Sequence, residues 1–272
     1  MTSYSITDLE SRLAPSPRTP VLFVGHGSPM HAISDNEFTQ AWARVGAELP
    51  AAQAIVVISA HWLTPGETHI TDAPHNRVIY DFGGFPGELS RVQYPTEGDP
   101  DVARILARQL VEYEAQLDAQ WGLDHGTWAV LKHLAPAPTV PVLQISIDYA
   151  MPLPQLMDLF SRLRALRHRG VLFIGSGNIV HALNRVKWDG GGAWDWATEF
   201  DRVTAEALVE GRHDLLLDPF AHWDTARLAV PTDDHYRPMV ASLGLLEDGE
   251  DLEFFNDRID MGSVGMRSFL TV

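Results

Sequence analysis

Two kinds of apolar pattern alternate along the chain. Short continuous runs such as residues 21–24 (VLFV), 54–59 (AIVVIS), 140–147 (VPVLQISI) and 171–175 (VLFIG) are bounded by glycine, proline or polar turns. Runs of this length, rich in β-branched residues, predict buried strands. Between them, apolar residues recur every three or four positions, as in Phe38, Trp42, Val45 and Leu49, or Val102, Ile105, Leu106, Leu110 and Tyr113. That spacing predicts amphipathic helices over 36–49, 100–117, 153–167, 194–210 and 238–246, with a short helix ending near residue 134. A third, edge strand is expected at 68–71 and a last one at 262–272. Residues 213–229 read as mixed helix and loop, and 247–257 as acidic and turn-rich.

Strands alternating with helices imply an α/β protein, with a central mostly parallel or mixed sheet flanked by helices on both faces. No linker, repeat or low-complexity tract divides the chain. The expected organisation is a polar, proline-punctuated lead-in over 1–18 and one domain over 19–272.

Two of the strands end alike. Residues 21–25 run into His26, and 54–60 into His61, so each buried strand delivers an imidazole to its carboxyl end. In open α/β sheets that edge is where ligands bind. His181 follows the strand 171–175 through the turn Ser176-Gly177-Asn178, whose N–H groups are alternatively an anion seat. His125 sits between Asp124 and Gly126, and His235 beside Tyr236 ahead of a late helix. The remaining histidines, His31, His69, His75, His133, His168, His213 and His222, read as surface or loop residues.

Composition narrows the chemistry. The 272 residues hold twelve histidines and no cysteine, so disulfides and thiolate metal sites are excluded and imidazole leads as a transition-metal ligand. A net charge of -16 disfavours nucleic acid and anionic membranes as partners. No apolar run is long enough to span a bilayer, and the first residues lack a signal-peptide pattern, so a cytoplasmic location is expected. Ser28 lacks the G-x-S-x-G elbow of a hydrolase nucleophile, and GSGN lacks the full dinucleotide fingerprint.

The ordered set GHGSPM (25–30), SAHW (59–62), YDFGGFP (80–86), DHGTW (124–128), GSGNIVH (175–181) and DHYRP (234–238) resembles the class III extradiol ring-cleavage dioxygenases, within them the DOPA 4,5-dioxygenase-like branch. The resemblance covers most of the chain and implies a catalytic domain over 19–272 that opens a catechol such as DOPA with O2 at a non-haem, histidine-rich metal centre. It implies His26, His61, His181 and His235 at the metal, with His181 and then His125 as the proton-handling groups. Where related enzymes close the metal shell with a glutamate, position 235 carries histidine. Fe(II) is expected for turnover, and Zn(II) also suits an all-histidine set. Ser28, Tyr80, Phe82, Gly83, Phe85 and Tyr236 are the expected substrate contacts. Two rivals share features of the chain: a tetrapyrrole chelatase-like enzyme, which has the HGS start, and a non-catalytic metal-binding protein. A hydrolase using zinc-bound water is weaker, since no HExxH glutamate is present.

Overall fold

A computed structural model describes residues 12–272; part of the lead-in expected over 1–18 lies outside the described residues. The strands are β1 (Val21–Gly25), β2 (Ala54–Thr64), β3 (His69–Thr71), β4 (Gln116–Asp118), β5 (Val142–Asp148), β6 (Val171–Gly177), β7 (Leu252–Phe255), β8 (Ile259–Asp260), β9 (Val264–Gly265) and β10 (Ser268–Thr271). Eight of them form one mixed sheet in the order β4-β3-β5-β2-β6-β1-β10-β7, while β8 and β9 make a separate two-stranded ladder.

Side-chain alternation explains why both faces of this sheet must be covered. In β1, Val21 and Phe23 enter one core while Leu22 and Val24 enter the other; β2 divides Val56 and Ile58 from Ile55 and Val57 in the same way. Helices α1 (Glu37–Glu48) and α3 (His125–Leu134) cover the second face with Trp42 and Trp128. Onto the first face pack α2 (Pro100–Gln109), α4 (Leu153–Ser161), α5 (Asp195–Val209) and α9 (Arg237–Gly244), the three short helices α6 (His213–Leu217), α7 (Pro219–His222) and α8 (Ala226–Ala229) lying between the last two in sequence. Asn36 starts α1 through a capping box and Asp99 starts α2 by accepting from two backbone N–H groups, which satisfies their otherwise unpaired first turns.

The parallel trio β1, β6 and β2 positions the site. Gly25 pairs with Gly177, and Ser59 with Ser176, so their carboxyl ends stop side by side. Beyond Ile58 the β2–β5 register shifts, and this irregularity re-aims the end of β2. His61 therefore lies inside an eleven-residue strand, where the run of apolar residues alone ended it at 59. Gly177 permits one further approach. A Cβ there would lie 2.2 Å from the carbonyl oxygen of His235, which accepts from Asn178 N–H at 2.8 Å.

Several expected elements change at their ends. The helix foreseen over 100–117 stops at Gln109, and β4 follows it at the sheet edge. The one foreseen over 153–167 stops at Ser161 and tightens into a 3-10 segment, Arg164–Arg169. The acidic stretch 247–257 contains β7, and the single last strand is two, β9 and β10.

One buried ion pair ties the sheet's far edge together. Arg167 is fully buried; it donates to the carbonyls of Thr19 and Leu245 and to both oxygens of Glu250, at 2.6 Å from Nη1. Burial pushes Glu250 upward, but Arg167 and the Glu247 N–H outweigh it and hold the carboxyl below its ordinary 4.5. A lowered folded value means that the pair stabilises the fold above the ordinary glutamate range and is lost as pH falls through that value. Replacing Glu250 with Gln leaves the guanidinium uncompensated, at roughly 3 kcal/mol. In thermal unfolding at neutral pH, Glu250→Gln is expected to lower Tm by about 5–10 °C, and the parent chain is expected to lose more stability than the variant as pH falls below 4.5.

Candidate metal centre

Five imidazoles meet at the carboxyl ends of β1, β6 and β2. His26 follows β1, its N–H donating to Gly177 C=O at 3.0 Å, and is 3% exposed. His61 comes from β2, His125 opens α3, His181 follows β6, and His235 precedes α9. Nε2 of His26 and Nε2 of His61 are 3.2 Å apart. His26, His61 and His235 each offer one ring nitrogen within 4.8 Å of the other two. His181 stacks on His235 with ring centroids 3.4 Å apart, and His125 lies against His61 at 3.9 Å. The five histidines singled out in the sequence thus share one place.

The surrounding hydrogen bonds fix which nitrogens carry protons. Ser176 Oγ donates to Gly126 C=O at 2.6 Å, so toward His26 it can only accept. His26 Nδ1 therefore carries the hydrogen and Nε2 the lone pair. Asp234 accepts from His235 Nδ1. Asp81 accepts from both N–H and Nδ1 of His125, each at 2.9 Å, and its other reach is to His61 Nδ1 at 3.4 Å. The Nδ1 atoms of His26, His125 and His235 are spent on partners outside the cluster, and Nδ1 of His61 lies within reach of Asp81. With Nδ1 of His61 turned to Asp81, the Nε2 lone pairs of His26 and His61 face each other at 3.2 Å, an arrangement that a cation between them relieves, so the donor set fits a metal of imidazole preference.

Electrostatics agrees. Burial, then the neighbouring histidines, holds His26 and His235 well below their ordinary value. Burial and His125 push His61 down to about 3, and burial takes His181 down to about 4. All four are neutral at pH 7, the state in which imidazole binds metals. Asp81 is also lowered, with the opposite result for its charge. Burial raises it, but its bonds to His125 prevail and leave it lowered, so it stays a carboxylate. Behind it, Asp124 is fully buried and pushed up to about 6; Ser59 and Gln144 donate to its two oxygens, and Oδ1 also accepts from Thr127 N–H in the first turn of α3. Gly126 keeps this layer thin, because a Cβ there would fall 2.6 Å from Ser59 Oγ and 2.9 Å from the His61 ring.

Above the histidines opens a cavity of about 250 Å³, lined on its apolar side by Phe82, Phe85, Leu183, Trp188, Met261 and Val264. Ser28 reaches its wall, as expected, and also accepts from Met30 N–H. Gly83 lies in an adjoining chamber. Two expected substrate contacts do not reach the cavity. Tyr80 turns its hydroxyl to Val92 C=O at 2.6 Å, and Tyr236 is 1% exposed with its hydroxyl on Leu216 C=O. Both rings are anchored in the cores because a buried phenol needs an acceptor, and the backbone supplies one. His31, read as a surface residue, is 5% exposed. Sequence reasoning passed over Asp81, Ser176 and Asp234. Asp81 stands between Tyr80 and Phe82, whose aromatic character drew the reading, and Asp234 was signalled only by adjacency to His235.

Comparison with known proteins agrees with this geometry. The sequence profile of the catalytic LigB subunit of aromatic ring-opening dioxygenase matches residues 16–264. The chain is 39% identical over 259 residues to the 4,5-DOPA dioxygenase extradiol of Escherichia coli (strain K12), covering 93% of this chain and 94% of that one. It is 30% identical over 255 residues to the Beta vulgaris protein of the same name, covering 91% and 94%. The crystal structure of uncharacterized protein JW3007 from Escherichia coli K12 superposes with a TM-score of 0.82 at 35% identity, over 93% of this chain and 99% of that chain. A match running from before β1 through β9 takes in every strand end that carries a cluster histidine, and the chain belongs to the LigB family of aromatic ring-opening dioxygenases, which are oxidoreductases.

Proposed function

We propose that the chain cleaves the ring of a catechol such as DOPA beside its two hydroxyls, inserting both atoms of O2, at a metal held by His26, His61 and His235. The observation that carries the reading is the convergence of unprotonated ring nitrogens, 3.2 Å apart at their closest, at the floor of an apolar cavity. Bound there, Fe(II) supplies Lewis acidity toward the catechol oxygens and electron transfer to O2, whereas Zn(II) fits the same ligands without redox chemistry.

The chain's own groups do the rest. His181, neutral and stacked on His235, takes the first catechol proton. His125 holds the second hydroxyl: Asp81 accepts its Nδ1 hydrogen, which leaves Nε2 as the acceptor facing the cavity. Asp81 stays ionised and so keeps that tautomer in place through the reaction. Phe82 and Phe85 bound the ring, and the apolar wall excludes water from the reacting carbons. A cavity of about 250 Å³ at the histidines suits one aromatic ring.

Aerobic incubation of the Fe(II)-loaded protein with DOPA is expected to give a yellow ring-opened product; a loaded protein that leaves every catechol intact would sink the reading. Alanine at His26, His61 or His235 is expected to remove bound metal and turnover together, read by elemental analysis beside the assay. His125→Ala should keep its metal and turn over about 100-fold more slowly or worse, the usual scale for losing a general acid–base group. Asp81→Asn should cost about 10–100-fold, because the amide cannot enforce the His125 tautomer. Full turnover in either variant removes that side chain from the mechanism.

A further inference from the structure

A second chamber of about 520 Å³ adjoins the histidine cavity, and the two share Ser28, Phe85, Trp188 and Met261 as walls. A ring whose oxygens face the histidines fills the inner cavity. Any longer substituent on its far side must enter the outer one. What lines that chamber therefore decides which catechols fit.

Its charged wall is Asp260, the last residue of β8. Met261 N–H donates to Oδ1 at 2.9 Å, which leaves Oδ2 free. Among the described residues, no lysine or arginine pairs with Asp260 and none lines either chamber. Facing Oδ2 at 3.9 Å is Nε2 of His31, too far for a hydrogen bond. The protonation of His31 follows from its other side. Asn36 Oδ1 accepts from the N–H groups of Phe38 and Thr39, so its amide NH2 must face His31 Nδ1, at 3.1 Å. Nδ1 accepts, and the hydrogen sits on Nε2. That buried N–H has no partner. Burial holds His31 below its ordinary value against the pull of Asp260, so the ring is neutral and offers the carboxylate no counter-charge.

An unpaired carboxylate and two aromatic rings, Phe85 and Trp188, make a seat for an ammonium group, the neutral His31 adding no competing positive charge. The carboxylate supplies the counter-charge, and aromatic faces attract cations. Trp188 is 81% exposed, an apolar cost at the mouth that a bound substituent relieves. We propose that the outer chamber is a subsite for a protonated amine carried on the catechol's substituent, with Asp260 Oδ2 as its partner. Asp260 is a specificity-determining residue for the reaction proposed above, and the inference rests on that reading for the placement of the ring. The net charge of -16 favours the approach of such a cation.

Anaerobic titration of the Fe(II)-loaded protein separates binding from ring cleavage. The probes are dopamine, DOPA and dihydrocaffeate, which has the DOPA skeleton without the amine. Dopamine is expected to bind about tenfold or more tightly than dihydrocaffeate. Asp260→Asn, which preserves the bond from Met261 N–H, should bring that ratio close to one, and Asp260→Glu should keep most of it. DOPA binding like dopamine extends the seat to an amino-acid substituent; DOPA binding like dihydrocaffeate confines it to a simple amine. Equal binding of dopamine and dihydrocaffeate by the parent chain overturns the proposal, as does an Asp260→Asn protein with the ratio intact. Should that variant fail to fold, the parent ratio decides. Tight amine binding with no product on admitting O2 would end the ring-cleavage reading and leave the amine seat standing.

Discussion

Five imidazoles buried in one place cannot all be charged, and the rest of the site follows from that constraint. Two unit charges 4 Å apart repel by about 4 kcal/mol even at an effective dielectric near 20. Burial adds its own penalty on each cation, and it is the leading cause of the lowered values at His26, His61, His181 and His235. Those four rings therefore fold neutral. A neutral ring presents one donor and one lone pair, so each histidine must be told which nitrogen faces inward. Ser176, Asp81 and Asp234 give that instruction from outside, each taking an Nδ1 hydrogen.

The instruction is itself held in place by the sheet. Ser176 is the penultimate residue of β6, and its proton is committed to Gly126 at the start of α3. Ser59, level with Ser176 across the β2–β6 ladder, commits its own proton to Asp124, the cap of that helix. A strand-register contact thus fixes the helix N-terminus, the helix fixes His125, and Asp81 couples His125 to His61. Moving any strand of the trio by one residue would turn these side chains into the opposite core. Geometry at the site is in this sense a property of the register.

Much of this was legible in the sequence because strand ends are. VLFVG-His26 and AIVVISA-His61 announce buried strands that stop at histidines, and parallel pairing is the cheapest way to bring two such ends together. The ordered motifs added His125, His181 and His235. What stayed hidden depends on contacts between residues distant in the chain. Asp81 reaches His125 across 44 positions, and nothing local distinguishes it from a loop aspartate. Tyr80 and Tyr236 failed as cavity residues for the same reason, since the carbonyls that fix their hydroxyls belong to Val92 and Leu216. His31 looked like a loop residue because its burial is made by Phe38 and Trp42, on the helix that follows it.

The division into two chambers gives the strained economy of the first a purpose in the second. The inner cavity presents neutral imidazoles and hydrocarbon, so it discriminates by shape and by the two oxygens that a ring can offer. It has no means of reading charge. The outer chamber holds a free carboxylate, and His31 beside it is kept uncharged by burial. Segregating the charge in this way leaves the buried imidazoles His26, His61, His181 and His235 neutral at pH 7 with a carboxylate free in the neighbouring chamber. Both chambers depend on the β8–β9 ladder, which carries Asp260 on one strand and Val264 on the other. Gly265 N–H donates to Val180 C=O, one residue before His181, so the ladder that carries Asp260 is bonded directly to the segment that carries His181.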